Sequence, residues 1–66
     1  MEVTINGLSR SVEPKTTIKN ILEDLQVKEK TMAVAVNMEI VKEKEWNSYL
    51  LQENDKVELL HFVGGG

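Results

Sequence analysis

One stretch of this chain carries a helical repeat, and it is apolar on one side only. Ile18, Ile21, Leu22 and Leu25 recur at three- and four-residue spacing, with Lys19, Asn20, Glu23 and Asp24 between them. A helix with a single apolar stripe must lay that stripe against another layer of structure. Thr16 and Thr17 stand just ahead of it as candidate N-caps, and the spacing predicts about three turns. The chain has 66 residues, enough for one small domain and no second one. The partner layer must therefore come from the remaining apolar residues, and these alternate as strands do.

Val3 and Ile5 share one face of a first strand, with Glu2 and Thr4 on the other. Asn6-Gly7 follows, a pair suited to the two left-handed positions of a type I′ hairpin turn. LSRSVE returns as a second strand, with Leu8 and Val12 on one side, and Pro14 stops it. After the helix, KEKT is a polar connection. TMAVAVN then reads as a strand with Met32, Val34 and Val36 on one face and Ala33 and Ala35 on the other. Asn37-Met38 turns into a short strand at Ile40 and Val41. In KEKEWNSYLL, Trp46, Tyr49, Leu50 and Leu51 call for burial, which a short helical turn would give. QENDK is a turn in which Asn54 suits the left-handed conformation, and KVELLHFV is the last strand.

A hairpin, one helix and then further strands favour an α+β fold: a mixed four- to five-stranded sheet with the helix packed across one face. With the final strand placed centrally between the hairpin and the later strands, the arrangement is a β-grasp. A ferredoxin-like or another small α+β fold is the competitor on pattern alone. The expected division is a domain over 1–63 and a glycine tail over 64–66.

Composition narrows the function. The net charge is −3, and no Lys/Arg cluster offsets it, so nucleic acid is not an expected partner. No apolar run approaches the ~20 residues of a membrane span. The start, MEVTING, has no basic segment followed by an apolar run, so no signal peptide is expected. There is no Cys, which fits a reducing cytoplasm and excludes thiolate metal sites. The single His61 cannot build a catalytic triad, and a metal site needs more ligands than one imidazole. It reads as a partly covered residue of the last strand. The carboxylates are interspersed with lysines and read as a solvated surface. No catalytic residue and no metal site is expected.

Two features remain. In the last strand Glu58, Leu60 and Phe62 share a face opposite Val57 and Leu59. If Glu58 faces water, Leu60 and Phe62 do so too, and beside Ala33 and Ala35 they form a docking patch. A twist or bulge would instead bury Phe62. The second feature is Gly64, Gly65 and Gly66, which directly follow this strand. Glycines placed there do not form a phosphate-binding loop, which lies between a strand and a helix. Three extended residues reach about 10 Å and pass through a channel that admits no side chains. A terminal carboxylate at Gly66, with a pKa of about 3.3–3.7, is a poor electrophile and must be activated before it reacts. An enzyme partner would supply that activation, with the tail as substrate and the fold as its handle.

LQENDKVELLHFVGGG, together with AVAVNMEIV and EKEW, resembles the sulfur-carrier proteins of thiamine biosynthesis over nearly the whole chain. The resemblance implies a ubiquitin-like β-grasp fold and a carrier rather than an enzyme. It implies that a ubiquitin-activating-like adenylyltransferase adenylates the Gly66 carboxylate with ATP and Mg²⁺, none of it bound by this chain. Sulfur from a cysteine desulfurase or another donor would then give a thiocarboxylate, and thiazole synthase would receive the sulfur. Gly65 and Gly64 correspond to the part of the tail that threads the partner's active site, and Leu60, Phe62 and Ala35 to the docking face. Met38 stands where many relatives have Gly, which implies a looser or different turn. Asn54 also stands where many have Gly.

Three alternatives share parts of this picture. The small subunit of molybdopterin synthase has the same fold and Gly-Gly end, but tends to carry proline near the glycines, where this chain has HFV. A ubiquitin-like protein modifier would use the same activation to form an amide. A plain binding module would use the patch and leave the tail inert.

Overall fold

The computed structural model describes residues 1–61, the last of them through its backbone alone. Strand β1 (Glu2–Ile5) turns at Asn6 and Gly7 into β2 (Leu8–Ser11). Both turn residues are left-handed, at φ 49° and 85°, and Ile5 faces Leu8 across the hairpin. This is the two-residue turn that the Asn-Gly pair demands. Leu8 itself is exposed at this edge of the sheet, and Val12, just past β2, packs partly against the core.

Helix α1 (Ile18–Asp24) begins at Thr17, whose side-chain oxygen accepts from the Asn20 N–H at 3.1 Å while Asn20 Oδ1 accepts from the Thr17 N–H at 3.0 Å. Of the two threonines, Thr17 is thus the cap; Thr16 donates its hydroxyl to the Glu13 carbonyl at 2.6 Å. The helix has seven residues, about two turns rather than the three expected from the apolar spacing. Its stop lies in the backbone. Gln26 adopts φ 59°, its N–H donates to the Glu23 carbonyl at 3.0 Å, and the Val27 N–H donates to the Leu22 carbonyl at 2.9 Å. That pair of bonds is a Schellman closure, usually built on glycine. Leu25 becomes the C-cap and packs partly against the core.

Strand β3 (Thr31–Val36) pairs antiparallel with β4 (Glu39–Val41) and with β5 (Lys56–His61). The β5 register slips between Thr31 and Ala33, so Met32 is an extra residue in the ladder. It is 61% exposed and does not share the core face of Val34 and Val36, as strict alternation had implied. A bulge breaks the two-residue period, and alternation resumes after it.

The Asn37-Met38 turn is not looser than a glycine-containing one. Asn37 and Met38 take φ 51° and 72°, and Val36 pairs directly with Glu39. Met38 therefore occupies a left-handed position that favours glycine. A short 3-10 turn at Glu43–Glu45 delivers Trp46 to the core, where its indole N–H donates to the Val41 carbonyl at 2.8 Å. Leu51 is buried and Tyr49 partly so, whereas Leu50 is exposed. Leu50 lies across an isolated bridge to Thr17, which fixes its backbone without covering its side chain.

The sheet order is β2-β1-β5-β3-β4. β1 and β5 run parallel and the other pairs antiparallel. The core joins Ile18, Ile21 and Leu22 of the helix to Val3, Ile5, Val34, Val36, Val57 and Leu59 of the central strands. The one-striped helix thus covers one sheet face.

Candidate functional site

β5 is the middle strand of the sheet and leads toward the glycines. Two asparagines tie it down, one at its start and one midway along it. At its start, Asn37 Nδ2 donates to Asp55 Oδ1 at 2.9 Å, and Asn37 Oδ1 accepts from the Lys56 N–H at 3.0 Å. The Asn37 N–H completes the set by donating to the Lys56 carbonyl at 2.8 Å. Asp55 is only 7% exposed, and its second oxygen accepts from the Gln52 N–H at 2.7 Å. A buried carboxylate satisfied by neutral donors on both oxygens acts here as a structural knot, joining the β3–β4 turn to the approach of β5. Asn54, at φ 70°, makes the turn into this approach, and its N–H donates to the Glu2 carbonyl at 2.7 Å.

Further along, the Asn6 N–H donates to the Val57 carbonyl at 2.9 Å, and Asn6 Oδ1 accepts from the Leu59 N–H at 2.8 Å. The pairing of β5 with β3 continues to Thr31 and His61. The strand is therefore supported on both sides almost to the end of the described residues.

On the face away from the helix, Leu60 of β5 is 60% exposed. Ala33 lies directly beside it in β3. Ala35, two residues along β3, is flanked by Glu58 of β5 on one side and Ile40 of β4 on the other. Ile40 is 70% exposed. Leu60, Ala33, Ala35 and Ile40 make a low apolar surface across three strands, with Glu58 within it. Ile40 escaped the sequence reading, which treated β4 only as a short strand. Its signal was the parity of a type I′ hairpin: Val41 buried opposite Val34 forces Ile40 to the other face.

Phe62, Gly64, Gly65 and Gly66, and the boundary expected at 63/64, lie outside the described residues. Among the described residues, no group of three or more His, Asp or Glu side chains could hold a metal ion. No helix among them is long and apolar enough to cross a membrane.

A five-stranded mixed sheet with a central C-terminal strand, one helix across one face and an open apolar surface on the other defines a ubiquitin-like β-grasp protein. The ThiS family model matches residues 3–66, and the chain belongs to that family. The crystal structure of a ThiS thiamine biosynthesis protein from Geobacter metallireducens superimposes with a TM-score of 0.82, at 28% identity and with full coverage of both chains. The sulfur carrier protein ThiS of Escherichia coli is 26% identical over 66 residues, all of both chains. A thiazole synthase of Magnetococcus marinus is 33% identical over the same 66 residues, but the chain spans only 20% of that relative's length.

Proposed function

We propose that this chain carries sulfur for thiamine biosynthesis as a thiocarboxylate on Gly66. The observation that carries the proposal is the match to a sulfur carrier protein over all 66 residues of both chains. The central, doubly supported β5 adds a physical reason: it offers a tail from a rigid body.

The chemistry follows from the carboxylate. One Gly66 carboxylate oxygen attacks the α-phosphorus of ATP, and pyrophosphate leaves. A persulfide formed by a cysteine desulfurase or another donor then attacks the acyl carbon through its outer sulfur, and AMP departs with the oxygen. A thiol cleaves the resulting acyl disulfide, leaving as a disulfide with the donor. The product is a thiocarboxylate, which thiazole synthase consumes. ATP and Mg²⁺ belong to a ubiquitin-activating-like adenylyltransferase. The chain's own part is to dock and to present. Leu60, Ala35 and Phe62 form the docking surface, with Ile40 as its extension. Gly64 and Gly65 enter the partner's channel because they bring no side chains. The setting is the cytoplasm. The match to one fifth of a thiazole synthase supports that enzyme as the acceptor.

Intact-protein mass tests the proposal. The chain ending at Gly66 is incubated with an adenylating enzyme, ATP, Mg²⁺, a cysteine-fed desulfurase and a thiol reductant, beside a version lacking Gly66. The expected result is replacement of one oxygen by sulfur, mapped to the last residue and absent from the truncation. No change, with the same enzyme active on another carrier, would refute it.

A further inference from the structure

β1 pairs with β5 only at Thr4 with Lys56 and at Ile5 with Val57. A parallel ladder continues by offering the next backbone carbonyl to the next N–H of the neighbouring strand. At Asn6 the chain turns away into the hairpin, with φ 49°. The N–H of Leu59 would then lose its partner on that side. It is instead taken by Asn6 Oδ1 at 2.8 Å, while the Asn6 N–H holds the Val57 carbonyl at 2.9 Å. The side-chain amide stands in for the missing rung. Leu59 is buried and Leu60, its neighbour, lies on the open face. The bond is therefore the last that β5 receives from the β1 side, while on the other side its pairing with β3 continues to His61.

We propose that Asn6 is a positioning residue for the carrier chemistry, setting through its bond to Leu59 the line along which β5 leaves the sheet. This rests on the carrier reading above. Asn6 exerts this role through Leu59 and not on the reacting carboxylate. It acts on how often a docked carrier holds its tail in line with the partner's channel. Few residues could do this, because the position demands both a left-handed backbone and a short side-chain acceptor, which Asn and Asp combine.

Two substitutions separate this role from simple stabilisation. Asn6→Gly keeps the left-handed turn and removes the acceptor. Asn6→Asp keeps both. Exchange of the Leu59 amide, followed by NMR, is expected to quicken about fivefold to tenfold in N6G, as loss of one hydrogen bond implies, and to return in N6D. In pyrophosphate-release assays with the adenylating enzyme, kcat for N6G is expected to fall at least about twofold. KM should stay within about twofold, because the β3–β5 face that docks is intact. N6D should recover kcat.

An unchanged Leu59 amide would overturn the clamp. A faster Leu59 amide with kcat unchanged, or with only KM raised, would overturn the positioning role. A wild-type chain that the enzyme does not adenylate would instead refute the carrier reading, and the positioning role with it. That failure is distinct because it appears before any variant is compared.

Discussion

Replacing Met38 by glycine should make this protein more stable, although it removes a side chain and adds chain entropy. Met38 holds φ 72° in the β3–β4 turn and is 89% exposed, so truncation gives up almost no packing. A left-handed backbone costs an L-residue roughly 1–2 kcal/mol that glycine does not incur. Against this, glycine gives the unfolded chain more freedom, worth roughly 0.5–1 kcal/mol. Taking the middle of each range, the balance is a stabilisation of about 0.75 kcal/mol. For a domain of this size, that raises Tm by roughly 2–8 °C. Thermal and urea unfolding followed by far-UV circular dichroism would measure it, with the urea slope unchanged. Met38→Asn should fall between the two, since asparagine tolerates the conformation better than methionine. Met38→Val should melt below wild type, because β-branching worsens the clash. If M38G melts at or below the wild-type temperature with an unchanged urea slope, the turn is not strained as described.

Other outcomes follow from the same geometry. Asp55→Ala strips the acceptors from Asn37 Nδ2 and the Gln52 N–H and should cost about 2–3 kcal/mol by urea denaturation. Trp46→Phe leaves the Val41 carbonyl without its indole donor and should cost about 1–3 kcal/mol in the same assay. Leu60→Asp and Ile40→Asp should leave Tm within about 2 °C, because both side chains are exposed. Each should raise the adenylating enzyme's KM for the carrier about tenfold, as loss of apolar contact area implies. An unchanged KM would remove that residue from the docking surface.

Much of this fold was legible because its local signals agree with its global ones. Asn6-Gly7 specified a hairpin, the Ile18–Leu22 stripe a one-sided helix, and Val57 and Leu59 a buried strand face. The departures lie where the backbone breaks the period without a compositional mark. Gln26 ends the helix in a conformation that glycine usually announces. Met32 enters the ladder as a bulge that no Gly or Pro signals. Met38 takes a left-handed turn position that usually favours glycine. At the candidate site, the exposure of Leu60 could be read from the parity of Glu58. The clamps made by Asn6 and Asn37 could not. Each joins residues more than 15 positions apart, by a side chain whose local role, making a turn, already seemed to explain it.

The central place of β5 has a mechanical consequence. A partner that draws the tail into a narrow channel pulls along the strand axis. The hydrogen bonds holding β5 to β1 and β3 run across that axis, so the load falls on them in shear and they must yield together. Had the tail issued from an edge strand pulled sideways, the rungs would open one after another, as a zipper does. A load applied along β5 would therefore not unravel the sheet from its middle.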